Sequence, residues 1–119
     1  MTVVLIVEDD ALLRMLAVDV VEEAGFVVIE ATNADVAIKL LECHPEIALL
    51  LTDIEMPGTM SGLKLAHAAR DRWPPIKILI MSGHIRPHPV ELPSGARFVA
   101  KPCHSVSLIA ELRALTCSP

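Results

Sequence analysis

The chain has 119 residues, 53% of them apolar, and a net charge of −5, which allows one packed domain over 1–119 but not two. Charged residues interrupt every apolar run before the roughly 20 residues of a membrane helix, and no basic leader follows Met1. From these two features we expect a soluble cytoplasmic protein. Lys and Arg form no basic patch, which argues against direct nucleic-acid binding.

Short apolar runs alternate with longer segments of helical periodicity along the whole chain. The apolar runs lack polar alternation, as parallel strands covered on both faces do, and predict strands at 3–7, 26–30, 47–52, 76–81 and 96–100. The intervening segments predict helices at 11–24, from the Asn33 N-cap to Pro45, at 61–73 and at 105–116. This alternation predicts a parallel sheet with right-handed crossovers and helices on both faces.

The segment between the fourth and fifth strands differs from the other connections. It reads SGHIRPHPVELPSG over 82–95, with three prolines within seven residues. Proline removes a backbone donor and clashes with the preceding helical turn, so a regular helix is not expected there. We predict at most one short turn in this connection.

Polar side chains collect where the predicted strands end. Glu8, Asp9 and Asp10 follow the first strand, and Asp53 with Glu55 follows the third. Ser82 follows the fourth strand and Lys101 the fifth. In open parallel sheets, ligands bind beyond the carboxyl ends of the strands, so these residues predict a site there. Each alone also fits an ordinary strand exit, and Asp10 fits a helix N-cap.

Clustered carboxylates need positive charge to be stable together. Two carboxylates about 4 Å apart repel by roughly 4 kcal/mol at an effective dielectric constant near 20. Mg²⁺ relieves this repulsion, because it prefers oxygen ligands and often shares carboxylates with a phosphate oxygen. Lys101 and Ser82 could contact other phosphoryl oxygens, and Asp53 could take the phosphoryl group as an acyl phosphate. The pattern therefore favours phosphoryl chemistry.

Three motifs, in this order, resemble the receiver domain of two-component response regulators. The stretch VLIVEDDALLRML is similar to the first strand and acidic pair of that family, TDIEMPG to its phosphoacceptor segment, and FVAKP to its lysine-proline signature. The resemblance spans essentially the whole chain. It implies a flavodoxin-like (CheY-like) three-layer α/β sandwich, with a five-stranded parallel sheet in the order 2-1-3-4-5.

The resemblance also implies roles in phosphorylation and in the conformational switch. Asp53 would be the phosphoacceptor, and Lys101 would bind the phosphoryl group. Ser82 would be the switch hydroxyl, and Phe98 lies where the family has its switch aromatic residue. The bond between Lys101 and Pro102 would be cis.

Mg²⁺ is the cofactor that the resemblance implies. Asp9 and Asp53 would bind the ion directly, and Glu8 would act through water. Glu55 would contribute its backbone carbonyl.

The resemblance implies a single-domain response regulator that is phosphorylated by a histidine kinase or a histidine phosphotransfer protein. Such a protein is not an enzyme beyond its own phosphorylation and dephosphorylation. Its output would be contact with an unknown downstream protein, or removal of phosphate from a relay. Neither nucleic acid nor a membrane is an expected partner.

One departure from the family concerns the segment between Ser82 and Lys101, which is shorter than usual and rich in proline. The family's fourth helix is therefore expected to be degenerate or absent. This leaves an alternative, a receiver-like interaction module that works without phosphorylation. A phosphatase of the haloacid dehalogenase type fits less well, because its Asp-x-Asp motif follows the first strand and not the third.

Overall fold

Five parallel strands form a single sheet in the order β2-β1-β3-β4-β5. The computed structural model describes residues 2–56, 60–83, 87–101 and 105–116. The strands are β1 Val3–Val7, β2 Val27–Ala31, β3 Ile47–Asp53, β4 Lys77–Ser82 and β5 Arg97–Ala100. The helices are α1 Ala11–Glu23, α2 Ala34–Cys43, α3 Gly62–Arg72 and α4 Ser105–Thr116. The predicted flavodoxin-like fold and strand order are confirmed.

Two hydrophobic layers, one on each face of the sheet, hold the helices in place. Residues such as Leu50 and Ile78 point to one face and pack against apolar side chains of α2 and α3. Their neighbours Leu49 and Leu79 point to the opposite face and pack against α1 and α4. The interior strands are therefore apolar at consecutive positions, because both of their faces are covered.

Side-chain caps fix where the helices begin. The Asp10 carboxylate accepts hydrogen bonds from the amides of Leu12 and Leu13 at 2.9 and 3.0 Å, which confirms its prediction as an N-cap. Asn33 caps α2 in the same way through the amide of Val36, at 2.8 Å. Because α1 starts immediately after its cap, Asp10, only a short turn separates β1 from α1.

The connection between β4 and β5 contains a 3-10 turn, Pro89–Glu91, and its described residues, 83 and 87–96, include no α-helix. The His67 ring on α3 donates from Nε2 to the Glu91 carbonyl at 2.5 Å, which ties this turn to the body of the domain. The absence of a regular fourth helix of the family type is thus confirmed for these residues. No helix in the described ranges is both long enough and apolar enough to cross a bilayer.

Candidate functional site

The carboxyl edge of the sheet brings the predicted polar residues together. Val7 pairs with Thr52 in the ladder between β1 and β3, so Glu8 and Asp53 leave the sheet side by side. Ser82 is the last residue of β4, and its carbonyl accepts a hydrogen bond from the amide of Lys101 at 2.8 Å. The sequence predicted that four polar residues meet at adjacent strand ends, and they do: Glu8, Asp53, Ser82 and Lys101.

Lys101 lies between two carboxylates. Its ammonium Nζ donates to Asp53 Oδ2 at 2.7 Å and to Glu8 Oε1 at 2.9 Å. Both carboxylate side chains are more than nine-tenths buried, whereas that of Lys101 is 23% exposed. Burial alone would lower the pKa of Lys101, but its hydrogen bonds to Asp53 and Glu8 outweigh this effect, and the pKa stands above its ordinary value. Lys101 is thus held as a cation at the site.

The buried carboxylate of Glu8 accepts hydrogen bonds from two donors. Burial raises the pKa of its carboxyl group, and this effect outweighs the lowering effect of its hydrogen bonds. Those bonds come from Lys101 and from the amide of Asp10, which lies 3.2 Å from Oε2. Arg14 additionally donates to the Glu8 backbone carbonyl at 3.0 Å and pairs with Glu30. Arg14 thus fixes the backbone of Glu8, a contact that no sequence pattern predicted.

Three carboxylates could hold a metal ion together. Glu8, Asp9 and Asp53 each offer one oxygen, and these oxygens all lie within 4.8 Å of one another. Asp9 is exposed, whereas the other two are buried. With Lys101 as counter-ion, three carboxylates leave two negative charges to be neutralised, which suits a divalent cation. A set of oxygen donors with an exposed side fits Mg²⁺, which retains several of its waters.

Glu55 contributes its side chain to the site, as a hydrogen-bond acceptor. The Ser82 hydroxyl donates a hydrogen bond to Glu55 Oε1. The backbone amide of Glu55 lies 3.4 Å from Asp53 Oδ1, a long contact that keeps the two residues at the same edge. The sequence placed Glu55 among the polar residues at the strand ends, and the family resemblance implied a role for its backbone carbonyl. Nothing local to TDIE indicates a side-chain partner 27 positions away.

Gly62 is a further positioning residue that the sequence did not single out. A Cβ atom at this position would lie 1.7 Å from the Asp53 carbonyl oxygen, so only glycine fits there. The amide of Gly62 donates to the Ile54 carbonyl at 3.0 Å, and the Thr52 hydroxyl donates to the Asp53 carbonyl at 3.0 Å. The start of α3 therefore packs directly against the backbone that carries Asp53.

Phe98 and Pro102 were also predicted to take part in the switch or to adjoin the site. Phe98 on β5 pairs with Ile80 and is partly buried against the layer formed by α2 and α3. Pro102, with its predicted cis bond, lies outside the described residues. So does the Pro57-Gly58 pair that ends the TDIEMPG segment.

Sequence comparison gives the family. The family model for the response regulator receiver domain matches residues 4–113. The chain is a response regulator receiver domain. Receiver domains of this family belong to two-component signalling, and the predicted family is confirmed.

Individual relatives agree with this assignment. The receiver domain is 34% identical over 113 residues to the response regulator receiver protein CpdR of Brucella abortus, with 92% of each chain covered. It is 36% identical over 115 residues to the two-component response regulator PhoP of Pseudomonas aeruginosa, covering 93% of this chain but only 50% of PhoP. It also matches a tenth of the sensor kinase CckA of B. abortus, at 32% identity over 97 residues and 80% of this chain.

Solved structures show the same fold. The receiver domain superposes on that of the hybrid histidine kinase CckA with a TM-score of 0.82 and 26% identity, covering 95% of this chain and 97% of that one. A CheY-like receiver from Methanospirillum hungatei gives a TM-score of 0.83 at 25% identity, covering 96% and 92%.

Proposed function

We propose that this receiver domain is a single-domain response regulator, 1–119, that accepts a phosphoryl group on Asp53. The observation that carries the proposal is the placement of the Asp53 carboxylate. It lies at the end of β3, 2.7 Å from the Lys101 ammonium and within 4.8 Å of carboxylate oxygens of Glu8 and Asp9. A carboxylate in this position has a cation beside it and shares a group of metal ligands, as phosphoryl transfer requires.

The proposed step moves the phosphoryl group from a phosphorylated histidine to Asp53. One carboxylate oxygen of Asp53 forms a bond to phosphorus while the bond from phosphorus to the imidazole nitrogen breaks. The electron pair of that bond stays on the nitrogen. Lys101 neutralises part of the charge on the phosphoryl oxygens, and the Ser82 hydroxyl donates to another of them. To make this donation Ser82 moves toward the phosphoryl group, and Phe98, two residues before the end of β5, changes its position in response.

Asp9 and Asp53 would hold Mg²⁺ directly, Glu8 through water and Glu55 by its backbone carbonyl. Bound there, the ion supplies charge neutralisation for the phosphoryl oxygens and the carboxylates. The side chain of Glu8 is already committed to Lys101, which supports an indirect role for it. The exposed Asp9 supports a direct role, because it can approach an ion from the solvent side.

The proposed phosphoryl donor is a histidine kinase or a histidine phosphotransfer protein. Similarity to CpdR and to part of the sensor kinase CckA supports this class of partner. The proposed output is contact with a downstream protein, or removal of phosphate from a relay, without nucleic acid or a membrane. A cytoplasmic location follows from such a role. Apart from its own phosphorylation and dephosphorylation, the protein is proposed to catalyse no reaction.

A second candidate is a receiver-like interaction module that works without phosphorylation. The observation in its favour is that the described part of the connection where the family has its fourth helix contains a 3-10 turn, Pro89–Glu91, and no α-helix. The contacts among Lys101, Asp53 and Glu8 weigh against it, because a module without phosphoryl chemistry has no need to bury two carboxylates around one ammonium.

Intact-mass measurement after incubation with acetyl phosphate separates the two candidates. The proposal predicts one phosphoryl adduct that requires Mg²⁺ and is absent from Asp53→Asn, which keeps the shape of the side chain but lacks the second carboxylate oxygen. A known receiver domain, treated in parallel, controls for the reagent. If that control is labelled and this protein is not, the phosphorylation-independent module is favoured.

A further inference from the structure

The Ser82 hydroxyl has two competing acceptors in a phosphorylatable protein. A hydroxyl group carries one proton and can make one strong donation at a time. In this structure Ser82 donates to the Glu55 carboxylate. The proposed function requires the same hydroxyl to donate to a phosphoryl oxygen on Asp53. Ser82 therefore must leave Glu55 before it can serve the phosphorylated state.

We infer that the Glu55 side chain is a positioning residue that holds Ser82 in the unphosphorylated arrangement and so opposes the switch. This inference rests on the proposed function. Hydrogen bonds to a charged group are among the stronger ones in proteins, with a net value that corresponds to about tenfold or more in an equilibrium constant. Losing the bond to Glu55 is therefore a cost that phosphorylation has to overcome.

The position of Glu55 also explains how phosphorylation would release the hydroxyl. Glu55 follows Asp53 by two residues, and its amide lies 3.4 Å from Asp53 Oδ1. Phosphorylation replaces the single negative charge of the Asp53 carboxylate by the charge of about −1.5 to −2 that a phosphoryl group carries, so the Glu55 carboxylate faces more negative charge than before. Repulsion between the like charges weakens the bond to Glu55 while the new phosphoryl oxygens attract the hydroxyl. Both effects move Ser82 in the same direction.

The backbone of Ser82 connects this exchange to the next strand. Ser82 ends β4, and its carbonyl accepts from the amide of Lys101 at 2.8 Å. A displacement of Ser82 therefore acts on the residue that follows β5 and contacts Asp53. Glu55 would thus set how readily the strand ends of β4 and β5 rearrange. This effect is separate from the repulsion between the Glu55 carboxylate and the phosphoryl group on Asp53.

A double-mutant cycle with beryllofluoride, a mimic of the phosphoryl group, tests this inference at saturating Mg²⁺. The four proteins are the wild type, Glu55→Ala, Ser82→Ala and the double variant, and the readout is the Kd by calorimetry. We expect Glu55→Ala to tighten binding about tenfold in the wild-type background and clearly less when Ser82 is alanine. A direct repulsion between Glu55 and the ligand acts equally in both backgrounds, so only the competition for Ser82 produces this difference.

Glu55→Gln provides a second test that does not depend on the folding of the Ser82 variants. Glutamine keeps a side-chain carbonyl acceptor but loses the charge, so we expect a Kd between those of the wild type and Glu55→Ala. Equal effects of Glu55→Ala in the two backgrounds, or a glutamine variant as tight as the alanine variant, would overturn the inference. Failure of the wild type to bind beryllofluoride would instead refute the proposed function, and the inference with it.

Discussion

At the scale of single residues, the site depends on one ammonium placed between two buried carboxylates. Lys101→Ala removes that cation and leaves the Asp53 and Glu8 carboxylates facing each other without the ammonium that donates to both. We expect the free energy of unfolding in metal-free buffer to fall by about 1–3 kcal/mol, the cost of leaving buried polar groups unsatisfied. Urea unfolding with EDTA present measures this change.

The matched control for that variant is Lys77→Ala, which removes an exposed lysine at the start of β4. We expect the control to change the free energy of unfolding by no more than about 0.5 kcal/mol. Adding Mg²⁺ should recover part of the loss in Lys101→Ala, since the ion neutralises the same carboxylates. Equal losses in the two variants would contradict the structural role given to Lys101.

The pKa of Lys101 gives a further expectation at this scale. Its folded-state pKa lies above the ordinary value of 10.5, so the stability that its ion pairs contribute is fully present below about pH 10.5. That contribution is lost as the pH rises through the folded-state pKa. We expect the wild type to lose more stability than Lys101→Met between neutral pH and the highest pH at which both fold. Parallel loss would show that these ion pairs do not drive the alkaline transition.

At the scale of secondary-structure elements, the start of α3 fixes the end of β3. Gly62→Ala would place a Cβ atom 1.7 Å from the Asp53 carbonyl oxygen, so the helix or the strand end must move. We expect a loss of about 3 kcal/mol, at the upper end of typical overpacking costs, and slower phosphorylation by acetyl phosphate. Thermal unfolding and the rate of adduct formation measure the two effects.

Gly83→Ala is the control for this substitution. A Cβ atom there would meet the Lys101 Cβ atom at 3.6 Å, an ordinary van der Waals contact. We expect a much smaller change in stability than for Gly62→Ala. If the two glycine variants unfold alike, close packing of α3 on the Asp53 backbone is not what fixes this strand end.

At the scale of the whole molecule, the sequence was informative wherever one physical rule decides the outcome. The uninterrupted apolar runs predicted the strands, because both faces of the sheet are covered. Strand ends were less certain: the second strand was predicted at 26–30 but is Val27–Ala31, and Ser82 belongs to β4 and does not follow it. These limits are set by pairing with neighbouring strands, such as Ser82 with Ala100, and not by hydrophobicity.

In the site, too, some features could be predicted from the sequence and others could not. Glu8, Asp9, Asp53, Ser82 and Lys101 could be predicted to meet, because parallel strands place their carboxyl ends at one edge. The bond from Ser82 to Glu55 and the close packing of Gly62 on Asp53 could not. The first contact joins residues 27 positions apart, and the second joins a strand end to the start of the helix that follows it. The residue types involved are ordinary in a loop and at a helix start.

The central claim is that Asp53 itself carries the phosphoryl group, and chemical trapping tests it most directly. Borohydride reduces an acyl phosphate to the alcohol, which converts a phosphorylated aspartate to homoserine. After treatment with acetyl phosphate, Mg²⁺ and borohydride, peptide mass spectrometry should find homoserine at position 53 and at no other aspartate. Reduction at Asp9 or Asp10, or a phosphoryl adduct that resists borohydride, would contradict the account.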